Sequence, residues 1–204
     1  MIFVSSGDLE AIVHNLESEY DREEILDKKD EVGRKVLAVA AMLGRSAIVR
    51  ELVRHGAQVN EQTVRGYSSL HFAACWGHVD TVRTLLELGA STETWTFRRE
   101  RPVDLARKYS KADCVDCLAL AGAKQDLVSY IAFIKDMVSE SAGQITTVEK
   151  NLCVELCAAK SDWIQSFKNP TVLHFTAQRK EIEDKLQSIL NKLSAQSAAN
   201  PSSG

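Results

Sequence analysis

Five cysteines, five histidines and one dense run of arginines are the residues of this chain whose types could do chemistry. Cys114 and Cys117 form a C-x-x-C, the spacing of half a zinc site or of a redox pair, but a closed zinc site needs four ligands and no second pair or histidine stands at finger spacing. With Cys75, Cys153 and Cys157 they make an odd set scattered through apolar helical patterns, which suits reduced thiols in a reducing compartment rather than a disulfide framework. A Cys–His dyad would need a thiol and an imidazole within hydrogen-bond reach, yet His14, His55 and His174 lie near separate helical patterns with no cysteine at an identifiable spacing. No G-x-x-x-x-G-K-[ST] loop, G-x-G-x-x-G fingerprint or H-E-x-x-H pair occurs. The residues therefore predict no catalytic site, no cofactor and no metal. Arg98, Arg99, Arg101, Arg107 and Lys108 fall within 11 residues, offset by Glu100 and Asp104. Such a cluster holds an acidic peptide or a phosphate, or else is a solvated face laced with local ion pairs.

The whole chain sets limits on these readings. Its 25 basic residues are outnumbered by 28 acidic ones, and the net charge of -3 gives no electrostatic reason to expect nucleic acid or an anionic membrane as partner. A hydrophobic share of 45% against 26% charged is that of a soluble globular protein with one or two domains. No run approaches 18 uninterrupted apolar residues, and the Met-Ile-Phe-Val start is too short and lacks the positive flank of a signal peptide. A cytoplasmic or nuclear location is expected.

What must position these side chains is a repeat. At an offset of 33 residues, Gly33, Leu37, Ala40, Ala41, Gly44, Val49, Leu52, Gly56 and Ala57 fall on Gly66, Leu70, Ala73, Ala74, Gly77, Val82, Leu85, Gly89 and Ala90. A third step lands on Val103, Ala106, Val115, Leu118, Gly122 and Ala123, while Gly66 and Gly77 become Arg99 and Ser110. Small Ala73 and Ala74 let a first helix approach its neighbour, and Val82, Leu85 and Leu86 give a second helix an apolar stripe. Gly77 breaks the chain between the two helices and Gly89 caps the second. Upstream, Gly7-Asp8-Leu9 with Ile12 and Leu16 reads as the second helix of an earlier repeat, followed by an acidic connector about four residues too long for the period. Its first helix is nearly missing, so either Met1 is an internal start or an atypical half-repeat caps the stack.

A period of 33 is that of the ankyrin repeat, and RGYSSLHFAACWGHVDTVRTLLELGA resembles that family, with Ser68-Ser69-Leu70-His71 where it usually has Thr-Pro-Leu-His. The resemblance implies a solenoid of helix pairs joined by hairpins. It also implies structural histidines: His71 at the turn, bonded to backbone between repeats, and His78 after the glycine. In such stacks the residues beside the hairpin tip and at the end of each first helix face a concave groove. Read onto this chain they are Glu31, Val32, Arg34, Met42 and Leu43, then Val64, Arg65, Tyr67, Cys75 and Trp76, then Phe97, Arg98, Glu100, Lys108 and Tyr109. Arg34, Met42, Leu43, Arg65, Tyr67, Trp76, Phe97, Arg98, Lys108 and Tyr109 are the expected partner-binding residues, since Trp, Tyr, Arg and Met are enriched at interface centres. The alternative is that Met42, Leu43 and Trp76 pack under neighbouring hairpins.

Beyond Gly122 the period stops and a new module is expected. Leu127, Tyr130, Ile131, Ile134 and Val138 share one helical face; after a polar gap at 139–147 a second helix carries Leu152, Leu156, Ala159 and Trp163. Asn169-Pro170 turns the chain into a third with Phe175, Ile182, Leu186, Ile189 and Leu193. Three single-faced helices imply a small bundle, with Trp163 and Phe175 in its core. The spacing of Cys157, Trp163 and Phe175, the run Gln178, Lys180, Glu181, Glu183, and Leu127-x-Ser129-Tyr130 resemble the helical lid of the seventy-kilodalton heat-shock chaperones. The chain has no room for that family's nucleotide-binding domain, so the resemblance implies no ATP-driven activity.

The expected fold is all-α: an ankyrin-repeat solenoid over 1–124, built of a half-repeat cap and three repeats with the last degenerate, a helical bundle over 125–193, and a disordered tail over 194–204. The expected function is a non-catalytic adaptor that binds other proteins through the concave groove and through the bundle; the alternative is a cochaperone-like regulator that binds a heat-shock chaperone or its clients through the bundle. The order of the modules, with Arg65-Gly66-Tyr67…Leu70-His71 and Phe97-Arg98-x-Glu100-Arg101, resembles a small family of ankyrin proteins. That resemblance implies axonemal or chaperone partners and a place at the cilium and its axoneme, or at the midbody or spindle of a dividing cell.

Overall fold

The computed structural model describes residue 4, residues 6–141 and residues 145–199, with the backbone alone at 19–21 and 194–199. Among the described residues it is all-α, with two isolated bridges, Lys29 with Lys35 and Gln62 with Ser68, in place of any strand. The chain divides into two compact units, Met1–Gly122 and Ala123–Gly204.

The first unit holds α1 (Leu9–Glu17), α2 (Glu19–Asp27), α3 (Val36–Met42), α4 (Ser46–Arg54), α5 (Ser69–Trp76), α6 (Val79–Glu87), α7 (Pro102–Lys108) and the start of α8 (Ala112–Glu140). The 33-residue period is a hydrogen-bond period. Asp30, Thr63 and Thr96 donate their N–H to the carbonyls of Arg34, Tyr67 and Glu100 at 2.9, 2.9 and 3.0 Å, closing three successive hairpins. The same three side chains accept inner amides of their own turns: Arg34 N–H at 2.8 Å, Tyr67 N–H at 3.1 Å and Glu100 N–H at 3.2 Å. Each polar side chain thus satisfies a donor that the tight turn would leave unpaired.

Between the hairpins, first helices pack on first helices across Ala40, Ala41, Ala73, Ala74 and Ala106, all fully buried, because a methyl group is small enough for two backbones to approach. Behind them Leu52, Leu70, Leu85 and Leu118 fill the core. The acidic connector after α1 is helical: Glu19–Asp27 forms α2, and Ile25 and Leu26 pack against the core. Its sequence EYDREEILD lacks Gly and Pro and contains good helix formers, but its apolar residues fall too weakly on one face to signal a helix.

The two units divide at Gly122, and no turn marks the division. α8 continues through it, Gly122 does not take a positive φ, and a β carbon there would sit 3.5 Å from Thr92 Oγ1, an ordinary contact. Ala119, Ala121 and Ala123 surround it, and one glycine inside such a helix costs only about 1 kcal/mol. One 18-residue window of α8 has a mean hydropathy of 1.3, enough by length and composition to cross a membrane. Its buried residues nonetheless recur at helical spacing: Cys114 and Leu118 in the first core, Leu127, Ile131, Ile134 and Val138 in the second.

The second unit packs the latter part of α8 with α9 (Thr147–Ser166) and α10 (Val172–Ala199). α10 buries the expected Phe175, Ile182, Leu186, Ile189 and Leu193. α9 does not bury the expected face. Leu152 and Ala159 are exposed and Leu156 only half-buried, while Cys153, Cys157 and Lys160 turn inward. Lys160 Nζ donates to Gln178 Oε1 at 2.6 Å and pairs with Glu181, whose carboxyl is held down to about 2 by Lys160 and then by Lys185. Trp163 is half-buried, edge-on to Phe175 at 5.6 Å and stacked on Phe167 at 5.0 Å. The expected tail is also shorter: α10 runs on to Ala199, since Ala195, Gln196, Ala198 and Ala199 propagate a helix readily, and residues 200–204 lie outside the described residues.

Candidate protein-binding groove

The two structural histidines set the spacing of the repeats. His71 is fully buried; its Nδ1 accepts the Ser68 N–H at 3.0 Å while Nε2–H donates to the Glu100 carbonyl of the next hairpin at 3.1 Å. Both ring nitrogens are used in a way that only neutral imidazole allows, and burial pushes the ring below its ordinary value of 6.5. His78 Nε2–H donates to the Met42 carbonyl of the preceding repeat at 3.0 Å. Both rings are thus tied to the backbone of a neighbouring repeat. Burial pushes all five thiols up, so none is an activated thiolate. Among the described residues, no group of three His, Cys, Asp or Glu comes together to hold a metal.

The expected groove residues fall into two rows. Leu43, Trp76 and Tyr109 are equivalent positions at the carboxyl ends of α3, α5 and α7, where the chain turns and leaves them 37%, 58% and 49% exposed. Trp76 and Leu43 therefore do not pack away under the hairpins. Met42 is half-buried beneath Arg34, whose Nη1 reaches its sulfur at 3.0 Å and whose Nε is fixed by Asp30 at 2.7 Å. Arg34 is thus committed within its own repeat.

The second row is a cluster at the hairpins. Tyr67 stacks on Phe72 at 5.7 Å and lies 6.5 Å from Phe97, and the neighbouring hairpins are joined by Phe97 N–H donating to the Arg65 carbonyl at 3.0 Å. Arg65 and Arg98 stand over the Phe97 ring at 6.0 and 5.2 Å. A cleft of about 500 Å³, lined by Arg34, Arg65, Tyr67 and Phe72 among others, opens between the first two hairpins. Lys108 belongs to neither row: its Nζ is tied to Glu100 at 2.7 Å, which raises its pKa. Phe72 and the exposed Trp95, on which Arg101 stacks at 5.3 Å, escaped the sequence reading. Phe72 is equivalent to Val39 and Leu105 in the 33-residue register and Trp95 to Gln62, so no repeated aromatic marks either.

A stack of hairpin-joined helix pairs with an open groove defines an ankyrin-repeat protein, a class of generally non-enzymatic modules that bind other proteins. The family model for ankyrin repeats matches residues 1–94 in three copies. The chain is 46% identical to ankyrin repeat domain-containing protein 45 of Danio rerio over 87% of its own length and 81% of that protein's. It is 34% identical to the Homo sapiens protein of that name, over 83% of this chain and 65% of that one, and 31% identical to the Mus musculus protein, over 84% and 70%. The chain belongs to the ankyrin repeat domain-containing protein 45 family.

Proposed function

We propose that the chain is an adaptor that holds one protein in the ankyrin groove and a second on the helical bundle, as a structural component of a ciliary, axonemal or cytoskeletal assembly. The observation that carries this reading is the row of exposed Leu43, Trp76 and Tyr109 at equivalent positions, beside the aromatic and arginine cluster of the hairpins. Rigid aromatic anchors repeated along one scaffold face are what an interface centre requires. In this reading the protein works in the cytoplasm, at the cilium and its axoneme, and at the midbody or spindle when the cell divides. The test is a crosslinking pull-down from ciliated-cell extract with the wild type and with Tyr67→Ala/Trp76→Ala. Axonemal proteins captured by the first and lost from the second are expected; unchanged capture removes the groove from the reading.

A second reading, a cochaperone-like regulator acting through the bundle, is favoured by one observation. The bundle leaves Phe133, Val148, Val154 and Leu173 exposed, an apolar display beyond what its own core uses. It predicts that chaperones dominate the captured proteins and that Leu173→Glu/Val148→Glu, rather than the groove variant, releases them.

A further inference from the structure

The cations of the hairpin face are of two kinds. Arg34 is paired with Asp30, Lys35 with Asp27 and Glu61, Arg101 with Glu93 and Asp104, Arg107 with Asp104, and Lys108 with Glu100. Among the described residues, Arg65, Arg98 and Arg99 make no ion pair. Arg65 and Arg98 both stand over the same exposed Phe97 ring, at 6.0 and 5.2 Å, and both are themselves exposed. Arg99 occupies the left-handed turn position, φ 56°, that is glycine in the two preceding hairpins.

We propose that Arg65, Arg98 and Arg99, arranged around Phe97 and Tyr67, recognise an acidic, extended polypeptide segment: carboxylates on the guanidinium edges, aliphatic side chains of the same segment on the Phe97 ring. This rests on the groove reading above and names the chemistry of its partner. The charge pattern selects peptide over nucleic acid. Among the described residues of the second and third hairpins three cations are free, and Glu93, Glu100 and Asp104 stand among the paired ones, so a continuous polyphosphate would also meet carboxylates. Spaced carboxylates with apolar side chains between them fit three guanidinium edges around one ring.

The test uses the full chain and fluorescence anisotropy of a labelled peptide of about twelve residues repeating Glu-Glu-Leu, against the same peptide with glutamine for glutamate, at ionic strengths of about 0.05 and 0.3 M. The glutamate peptide is expected to bind, to lose about tenfold in affinity in Arg65→Glu/Arg98→Glu and again at the higher salt, and to be unaffected by Arg107→Gln, whose partner is internal. Thermal melts establish that each variant is folded. Equal binding of the glutamine peptide, an equal loss in Arg107→Gln, or tighter binding of a single-stranded oligonucleotide overturns the proposal. If the pull-down is sensitive to Tyr67→Ala/Trp76→Ala but the glutamate peptide does not bind, the acidic partner is wrong and the groove stands. If capture is indifferent to the groove while the peptide behaves as expected, the recognition chemistry stands and the adaptor reading falls.

Discussion

The second and third hairpin repeats trace the same backbone with different residues at their turns. Gly66 has φ 77° and Gly77 φ 80°; one period later Arg99 has φ 56° and Ser110 φ 55°. The difference is in what lies above them. A β carbon on Gly66 would come within 2.5 Å of the Trp95 carbonyl oxygen in the next hairpin, and one on Gly77 within 2.7 Å of the Lys111 side chain of the next repeat. Arg99 and Ser110 are exposed. Gly66 and Gly77 are thus needed twice, for φ and for the room the next repeat takes, while Arg99 and Ser110 keep the φ with an exposed side chain and are carried at a modest cost.

The largest effect should ignore this difference. Leu85 and its equivalent Leu118 are both fully buried, so alanine at either position is expected to cost about 2–5 kcal/mol in a urea melt, in the inner and the outer repeat alike. A loss under about 0.5 kcal/mol at Leu118 alone would mean that the last repeat is not a full member of the core. The turn positions should then separate the two repeats sharply. Gly66→Ala puts a methyl group against a backbone carbonyl that cannot rotate away, in a conformation that already disfavours it, and should cost about 2–3 kcal/mol. Arg99→Ala, one repeat on, should change stability by less than about 0.5 kcal/mol, since no neighbour is displaced.

His71 gives a smaller effect with a pH signature. Truncation to alanine strands the Ser68 N–H and the Glu100 carbonyl and should cost about 1–3 kcal/mol. In the wild type the folded state keeps the ring neutral, because burial holds its pKa below 6.5, whereas the unfolded chain takes up a proton as the pH falls through that value. Stability therefore drops on acidification below about pH 6.5, and His71→Ala should flatten that part of the profile in thermal melts taken between about pH 7.5 and 5.5. The third repeat has Asp104 in this place, its carboxylate accepting the Arg101 N–H at 2.9 Å.

How far all this was legible depended on whether the deciding fact was local. The 33-residue period placed the hairpins, the helix pairs, the buried alanines and the two rows of groove residues, because each repeat sets its own turn chemistry and its neighbour differs little. It also contained Asp30, Thr63 and Thr96, whose side chains close the hairpins, though these were not singled out. The bundle was harder because its helices choose their faces by what they meet. On α9 the leucines are the more apolar pattern, yet Cys153, Cys157 and Lys160 turn inward because Gln178 and Glu181 of α10 receive the lysine. No periodicity within α9 contains that partner. Gly122 shows the converse: it stands at the repeat end in the 33-residue register, but only a left-handed conformation makes a glycine a cap, and the alanines around it sustain the helix. Of the basic cluster, the sequence displayed five cations and the structure leaves two of them, Arg98 and Arg99, unpaired, joined by Arg65 from the hairpin before.

The smallest expected effect makes the sharpest contrast. Arg99→Gly and Ser110→Gly each relieve a left-handed residue that touches no successor, and each should stabilise the protein by about 0.5–1 kcal/mol, less whatever the more flexible unfolded chain takes back. The two should part company in binding. Ser110 stands at the turn after α7 rather than on the hairpin and carries no charge, so Ser110→Gly should gain stability and leave the affinity for the glutamate peptide where it was. Arg99→Gly should gain similar stability and lose affinity, because the residue that strains the turn is one of the three free guanidiniums. Melting temperature and peptide affinity measured on the same two variants decide the matter. If both gain stability and neither loses affinity, Arg99 is tolerated at the end of the stack for the same reason as Ser110, for want of a neighbour, and has no role in recognition.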